Sequence, residues 1–272
     1  MAARTDASRI IVAGSARAAE TELVTQVARA APRRPQDLGL PVRIVVPSRG
    51  LRLHVGGLVA RCVGRSLAGV TIQTLPGLAR EVVERLGGRL PATEQLSRMI
   101  ATRLTRNQAT LAPMMVFSGW PKAVWATVRD LLDAGLGPEH AEPLADLFES
   151  LAESGVSAAA IARAGAIVRV AIELNEILAS HGLIAGSGVL QEAADRLHQE
   201  GRDGLPSRAV LVYGFADATG VAGDLLAAIL RVIGGVLIVA RPDDPFDPAG
   251  ERVASSVVDR FVDRFSAVAG RV

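Results

Sequence analysis

The sequence predicts an α/β fold, a parallel sheet flanked by helices, with an all-helical insertion. Three observations predict it. Strand-like runs at 10–13, 42–47 and 70–75 alternate with helix-like segments at 16–30, 51–64 and 76–86, the sign of a parallel sheet covered by crossover helices. From about residue 92 to 201 strand signals vanish and helical stretches dominate. Strand signals then return at 209–213 and 236–240, with a helical stretch at 220–233 between them. The economical division is 1–90 for the first part of the α/β domain, 91–204 for the helical insertion and 205–272 for the second part.

Each element has a local reason. The first three strands are short, rich in β-branched residues and bounded by turn residues. Between the first helix and the second strand, the prolines at Pro32, Pro35 and Pro41 predict a loop, because proline lacks the donor that a helix interior needs. Within the insertion, helices are expected at 92–105, 122–134, 142–152, 158–180 and 188–200. Gly135-Leu136-Gly137-Pro138 and the glycines from Gly182 to Gly188 punctuate them. The tail, 253–268, has the spacing of one more amphipathic helix. A last strand followed by a single helix predicts that the sheet continues into further domains.

Composition narrows the classes. Of 272 residues, 49% are apolar, enough for a substantial core, yet no apolar run reaches the roughly 18–20 residues of a membrane span. The first residues, Met1-Ala2-Ala3-Arg4-Thr5-Asp6, lack the apolar stretch of a signal peptide. One cysteine, Cys62, excludes an internal disulfide and suits a reducing, cytoplasmic compartment. The formal charge is only +2, although the isoelectric point is 9.3. Nearly all the basic residues are arginines; coding bias explains that, and so does phosphate contact, because guanidinium forks match phosphate oxygens.

The first strand leads into Gly14-Ser15-Ala16-Arg17 and a helix, the outline of a phosphate-binding loop. Such a loop reads G-x-x-x-x-G-K-[ST], with backbone N–H groups cradling phosphates and a lysine reaching the β- and γ-phosphates. Here one glycine stands alone. The chain's only lysine, Lys122, lies in Gly119-Trp120-Pro121-Lys122, with no strand before it. Two readings lead for Gly14, Ser15 and Arg17: a structural turn, or weak nucleotide or phosphate binding at a helix N-terminus; catalysis there is not expected. Asp217 follows the strand at 211–213, where a nucleotide motor carries its metal-binding carboxylate, but Ala218 and Thr219 supply no second acid. It reads equally as a turn or helix-start residue.

Several segments, in order, resemble one family. Ile44-Val45-Val46-Pro47-Ser48-Arg49-Gly50-Leu51 is similar to its hVPxRxL second strand and helix start. Gly69-Val70-Thr71-Ile72-Gln73-Thr74-Leu75 with Leu78-Ala79 is similar to its third strand. The stretch from Trp120 through Asp130-Leu131-Leu132-Asp133-Ala134-Gly135-Leu136 resembles its RdLreAGl helix end. Leu211-Val212-Tyr213-Gly214-Phe215-Ala216-Asp217 resembles its hhYGFxdht strand, and the run at 236–240 with Pro242-Asp243-Asp244-Pro245 its next strand and loop. The family is the N-terminal helicase-like region of AddB/RexB-type subunits of bacterial ATP-dependent helicase–nucleases, with RecC-like inactivated helicase subunits as wider relatives. The likeness runs from about residue 9 to 265.

The resemblance implies a P-loop-NTPase-like, helicase 1A-like sheet and a role in DNA double-strand-break processing and recombinational repair. It implies DNA and an AddA-like motor subunit as partners, with no membrane. The loops after the second and third strands, carrying Ser48, Arg49, Arg52 and Thr74, are expected to hold the DNA backbone. That expectation suits open α/β sheets, which bind ligands at their carboxyl edge, and hydroxyls and arginines are sequence-independent phosphate partners. The chain departs from the family in its missing phosphate-loop lysine. The parent family's Mg2+, ATP and iron–sulfur cluster, and its PD-(D/E)xK exonuclease motif, are expected elsewhere: Cys62 alone cannot hold a cluster and Lys122 has no nuclease setting. No catalytic residue, metal ligand or cofactor is assigned within these residues.

The expected function is therefore a non-catalytic DNA-binding scaffold module. The alternative is an α/β nucleotide-binding enzyme using the Gly14 turn, although the dinucleotide pattern G-x-G-x-x-G is missing; a third is a degenerate fragment with no activity. Trp120 and Trp125 are candidates for base stacking or for core packing. His54, His140, His181 and His198 are scattered without metal-ligand spacing. Asp243-Asp244 suits a turn better than a cation site. Ser187, in Gly186-Ser187-Gly188, lacks the strand-to-helix context of a nucleophile elbow.

Overall fold

The computed structural model describes residues 8–32, 34, 38–63, 68–218, 220–241 and 253–271. The chain divides into two compact units, Met1–Leu86 with Ala193–Val272, and Gly87–Glu192. In chain order the first segment holds β1 (Arg9–Ala13), α1 (Ala16–Ala30), β2 (Val42–Val46), α2 (Arg49–Val63), β3 (Val70–Thr74) and α3 (Leu75–Leu86). The second unit holds β4 (Leu90–Pro91), α4 (Glu94–Asn107), α5 (Trp120–Asp133), α6 (Ala141–Glu153), α7 (Ala158–Ser180) and β5 (Leu183–Ile184). Helix α8 (Gly188–Glu200) leads back to β6 (Ala209–Tyr213), α9 (Gly220–Ala228), β7 (Val236–Ala240), α10 (Val253–Ser266) and β8 (Gly270–Arg271).

The sheet runs β3-β2-β6-β7-β1-β8, and every pairing in it is parallel. A parallel sheet covered on both faces needs near-continuous apolar strands, and all five residues of β2 are buried. Alternation sorts them. Val42, Ile44, Val46, Leu211, Tyr213, Ile238 and Ala13 share a core cluster with Ala19, Leu23 and Val27 of α1 and Val55 and Val59 of α2. Their neighbours Val45, Val210, Val212, Leu237 and Val239 are buried on the other side.

On that other side lies Arg43, 4% exposed. Its Nη1 and Nη2 donate to both carboxylate oxygens of Glu81 on α3 at 2.8 and 2.7 Å, its Nη1 to Gln73 at 3.0 Å, and its Nε to Ser207 at 3.0 Å. A charge this buried persists only with such partners. Burial pushes the Glu81 carboxyl up, but hydrogen bonds from Arg43 and Gln73 and the charges of Arg43 and Arg85 outweigh it, so its pKa lies below the usual value.

The helical unit is built round α7, whose Ala166, Val170, Ala171, Leu174 and Leu178 form one buried stripe. Helical spacing puts these residues on one face. They pack with Ala101 and Leu104 of α4 and with Val124, Val128 and Leu132 of α5. Trp120 and Trp125 lie against the same cluster. A two-stranded parallel ribbon pairs Leu90 with Leu183 and Pro91 with Ile184.

Helices at 16–30, 158–180 and 188–200 and strands at 209–213 and 236–240 match the expected bounds. The joint around Ser187, expected between helices, contains strand β5. The expected helix at 220–233 ends in a π turn over Ile229–Ile233. The insertion, expected at 91–204, is the unit Gly87–Glu192. The later part of α8 belongs with the sheet because Leu197 packs beside Gly204 and Leu86. The Asp243-Asp244 turn lies outside the described residues, as do Arg33, Pro35 and Thr219. No helix among the described residues is long and apolar enough to cross a membrane.

Candidate phosphate-facing edge

Because the strands are parallel, their carboxyl ends share one edge of the sheet, with Ala13 level with Ala240 and Val46 level with Thr74. Three of the expected site residues are hydroxyls on that edge, and each caps the helix that follows. Ser15 Oγ accepts from the Ala18 N–H at 3.1 Å, Ser48 Oγ from the Leu51 N–H at 3.2 Å, and Thr74 Oγ1 from the Gly77 N–H at 3.3 Å. A capping hydroxyl satisfies one of the four N–H groups that a helix start leaves without an intrahelical partner.

Charge at these helix starts runs against the usual preference. A helix N-terminus carries partial positive charge and favours acids. Helices α1, α2 and α3 have no acidic residue in the first turn. Instead α1 carries Arg17 as its second residue, and α2 begins with Arg49 and carries Arg52. All three arginines are exposed, and none has a side-chain hydrogen bond or ion pair among the described residues. Helices α1 and α2 are neighbours, tied by a 2.8 Å contact between His54 Nε2 and Glu20 Oε1. That contact engages the acid one turn beyond Arg17.

The Gly14 turn, expected as a structural turn or a weak nucleotide or phosphate contact, is short. Strand β1 ends at Ala13 and α1 begins at Ala16, leaving only Gly14 and Ser15 between them. A phosphate-cradling loop needs several residues between its first glycine and the helix. The Ala13 carbonyl is taken by the Arg241 N–H at 2.7 Å. These residues do not fit a nucleotide triphosphate. Asp217 is exposed in the turn after β6.

Beyond the paired strands β2 and β6 the two following turns meet. The turn after β2 enters α2, on the α1 face. Gly214, directly after β6, has φ +79°, which strains any side chain, and a Cβ there would run into Leu51. Leu51 thus sits directly against the Gly214 turn, with Pro47 beside it.

Sequence reasoning did not bring together Glu20, His54 and Tyr213. Tyr213 is 7% exposed; burial raises its hydroxyl pKa above the ordinary value, and the Glu20 charge raises it further. The sequence signal for this group is weak: Tyr213 is the only tyrosine in the chain. Trp125 Nε1 donates to Glu94 at 3.5 Å, while Trp120 Nε1 is buried without a partner. Among the described residues, no three His, Cys, Asp or Glu side chains cluster as a metal site. No protein-family model matches the chain, and no curated protein matches it in sequence.

Proposed function

We propose that this chain is a helicase-like, non-catalytic DNA-binding scaffold module of a helicase–nuclease subunit, acting at double-strand-break ends in recombinational repair. The sheet's carboxyl edge grips the phosphate backbone through Arg17, Arg49 and Arg52, while Ser48 and Thr74 hold the helix starts that carry or flank them. DNA and a motor subunit are its partners, and the chain itself hydrolyses neither ATP nor DNA. The observation that carries the reading is the trio of exposed, unpaired arginines at two adjacent helix starts that hold no acid. A phosphate placed there meets the guanidinium forks and the positive helix ends together. The family identity rests on the ordered sequence segments alone.

The test is fluorescence anisotropy with labelled single-stranded DNA across a salt series, using wild type, Ser48→Ala and Arg49→Ala/Arg52→Ala. Binding is expected to weaken with salt. The double variant is expected to flatten the log–log salt slope by about 0.7 for each phosphate it no longer neutralises. A folded wild-type chain that binds no DNA would sink the reading. Nucleotide affinity abolished by Gly14→Val would favour the alternative, a nucleotide-binding enzyme.

A further inference from the structure

Within the helical unit, α4 buries Ser97, Ala101, Leu104 and Thr105. Its opposite face is different in kind. Arg98, Met99, Thr102, Arg103, Arg106 and Asn107 line an open groove of about 450 Å³. At roughly 3.6 residues per turn, these six side chains share one half of the helix circumference.

Two properties of this face are directed at solvent. Arg98, Arg103 and Arg106 have no side-chain hydrogen bond or ion pair among the described residues, and no carboxylate lines the groove. Arg103 and Arg106 stand three residues apart, a like-charge spacing that disfavours a helix in isolation. Among these charges Met99 is 62% exposed, with Leu96, 38% exposed, three residues before it. A flexible thioether offers an adaptable apolar contact, and neither side chain offers the aromatic face on which a base would stack. Cations around an aliphatic centre complement acids around an aliphatic side chain.

We infer that this face of α4 docks an acidic, apolar-bearing segment of a partner protein. Its carboxylates pair with Arg98, Arg103 and Arg106, and one of its aliphatic side chains lies on Met99 and Leu96. Arginine forks pair with carboxylates bidentately, and an amphipathic segment laid along a helix groove is an established mode of recognition. The inference goes beyond the DNA-gripping edge and stands without it.

The experiment titrates the full chain into a labelled helical peptide with glutamates and leucines on one face. Labelled polyglutamate and single-stranded DNA serve as the other probes. The glutamate–leucine peptide is expected to bind. Arg98→Glu/Arg103→Glu/Arg106→Glu is expected to weaken it roughly tenfold or more through like-charge juxtaposition, and Met99→Ser to weaken it by a smaller factor. All four positions are solvent-facing, so the variants should stay folded; Arg106→Glu, at the negative end of α4, is expected to lower the melting temperature only slightly. Arg49→Ala/Arg52→Ala should leave peptide binding intact, which separates this surface from the sheet edge. The inference is overturned if the peptide does not bind or if the charge-reversed chain binds it as well as wild type. It is also overturned if polyglutamate binds equally and Met99→Ser has no effect, or if the α4 changes weaken DNA binding alone.

Discussion

Helices α1 and α4 start with the same cap and opposite charges. Ser15 caps α1 through the Ala18 N–H, and Thr93 caps α4 through the Leu96 N–H at 3.2 Å. Helix α4 then carries Glu94 in its first turn and Arg106 in its last, as the helix dipole prefers, whereas α1 carries Arg17 at the positive end. Helix α2 repeats the pattern of α1 with Arg49 and Arg52. Arg43 is a third case, an arginine that the sheet unit holds with three bonded partners. The difference separates arginines that stabilise the fold from arginines that the fold itself does not use.

The largest effect that would sharpen this comparison is at Arg43. Arg43→Ala leaves the Glu81 carboxylate without its cation and is expected to cost about 3 kcal/mol in urea unfolding; a loss under about 1 kcal/mol would mean that Arg43 is no more structural than Arg17. Gly214→Ala comes next. It forces a positive φ on a side chain and drives it into Leu51, so a loss of about 2–3 kcal/mol is expected by the same measurement. The smallest effect tests the comparison most directly. Arg17→Glu and Arg49→Glu place acids at positive helix ends and should each raise stability by about 0.3–1 kcal/mol at low salt, while weakening DNA binding in the anisotropy assay. Variants that gain no stability would break the argument that these arginines oppose the fold's own preference.

Acid titration adds a pH test of the Arg43 cluster. Because the folded Glu81 pKa is lowered from 4.5, its contribution to stability is present above the unfolded value. It is lost as pH falls through the lower folded value. Stability measured below about pH 4.5 should therefore fall more steeply for wild type than for Glu81→Gln.

Long periodic elements are legible in the sequence because many residues vote for each. The bounds of α7 and β7 follow from their apolar spacing alone. Starts are less so: spacing places the start of α5 at Lys122, but the helix begins at Trp120, because Pro121 is tolerated in a helix's first turn. The paired dipeptides of β4 and β5 are too short to carry any period. At the edge, Ser48, Arg49, Arg52 and Thr74 are legible by residue type and by place after a strand. Their capping bonds are local and follow from sequence position. The pairing of His54 with Glu20, 34 residues away, and the seating of Leu51 against Gly214 depend on tertiary packing that spacing does not encode.

The two-residue joint between β1 and α1 limits what any single substitution can add there. A lysine placed after Gly14 would stand at the very start of α1 with no loop behind it, because a phosphate-wrapping loop needs several residues between its first glycine and its helix. Building a cradle at this joint takes inserted backbone, and a change of side chain alone does not supply it.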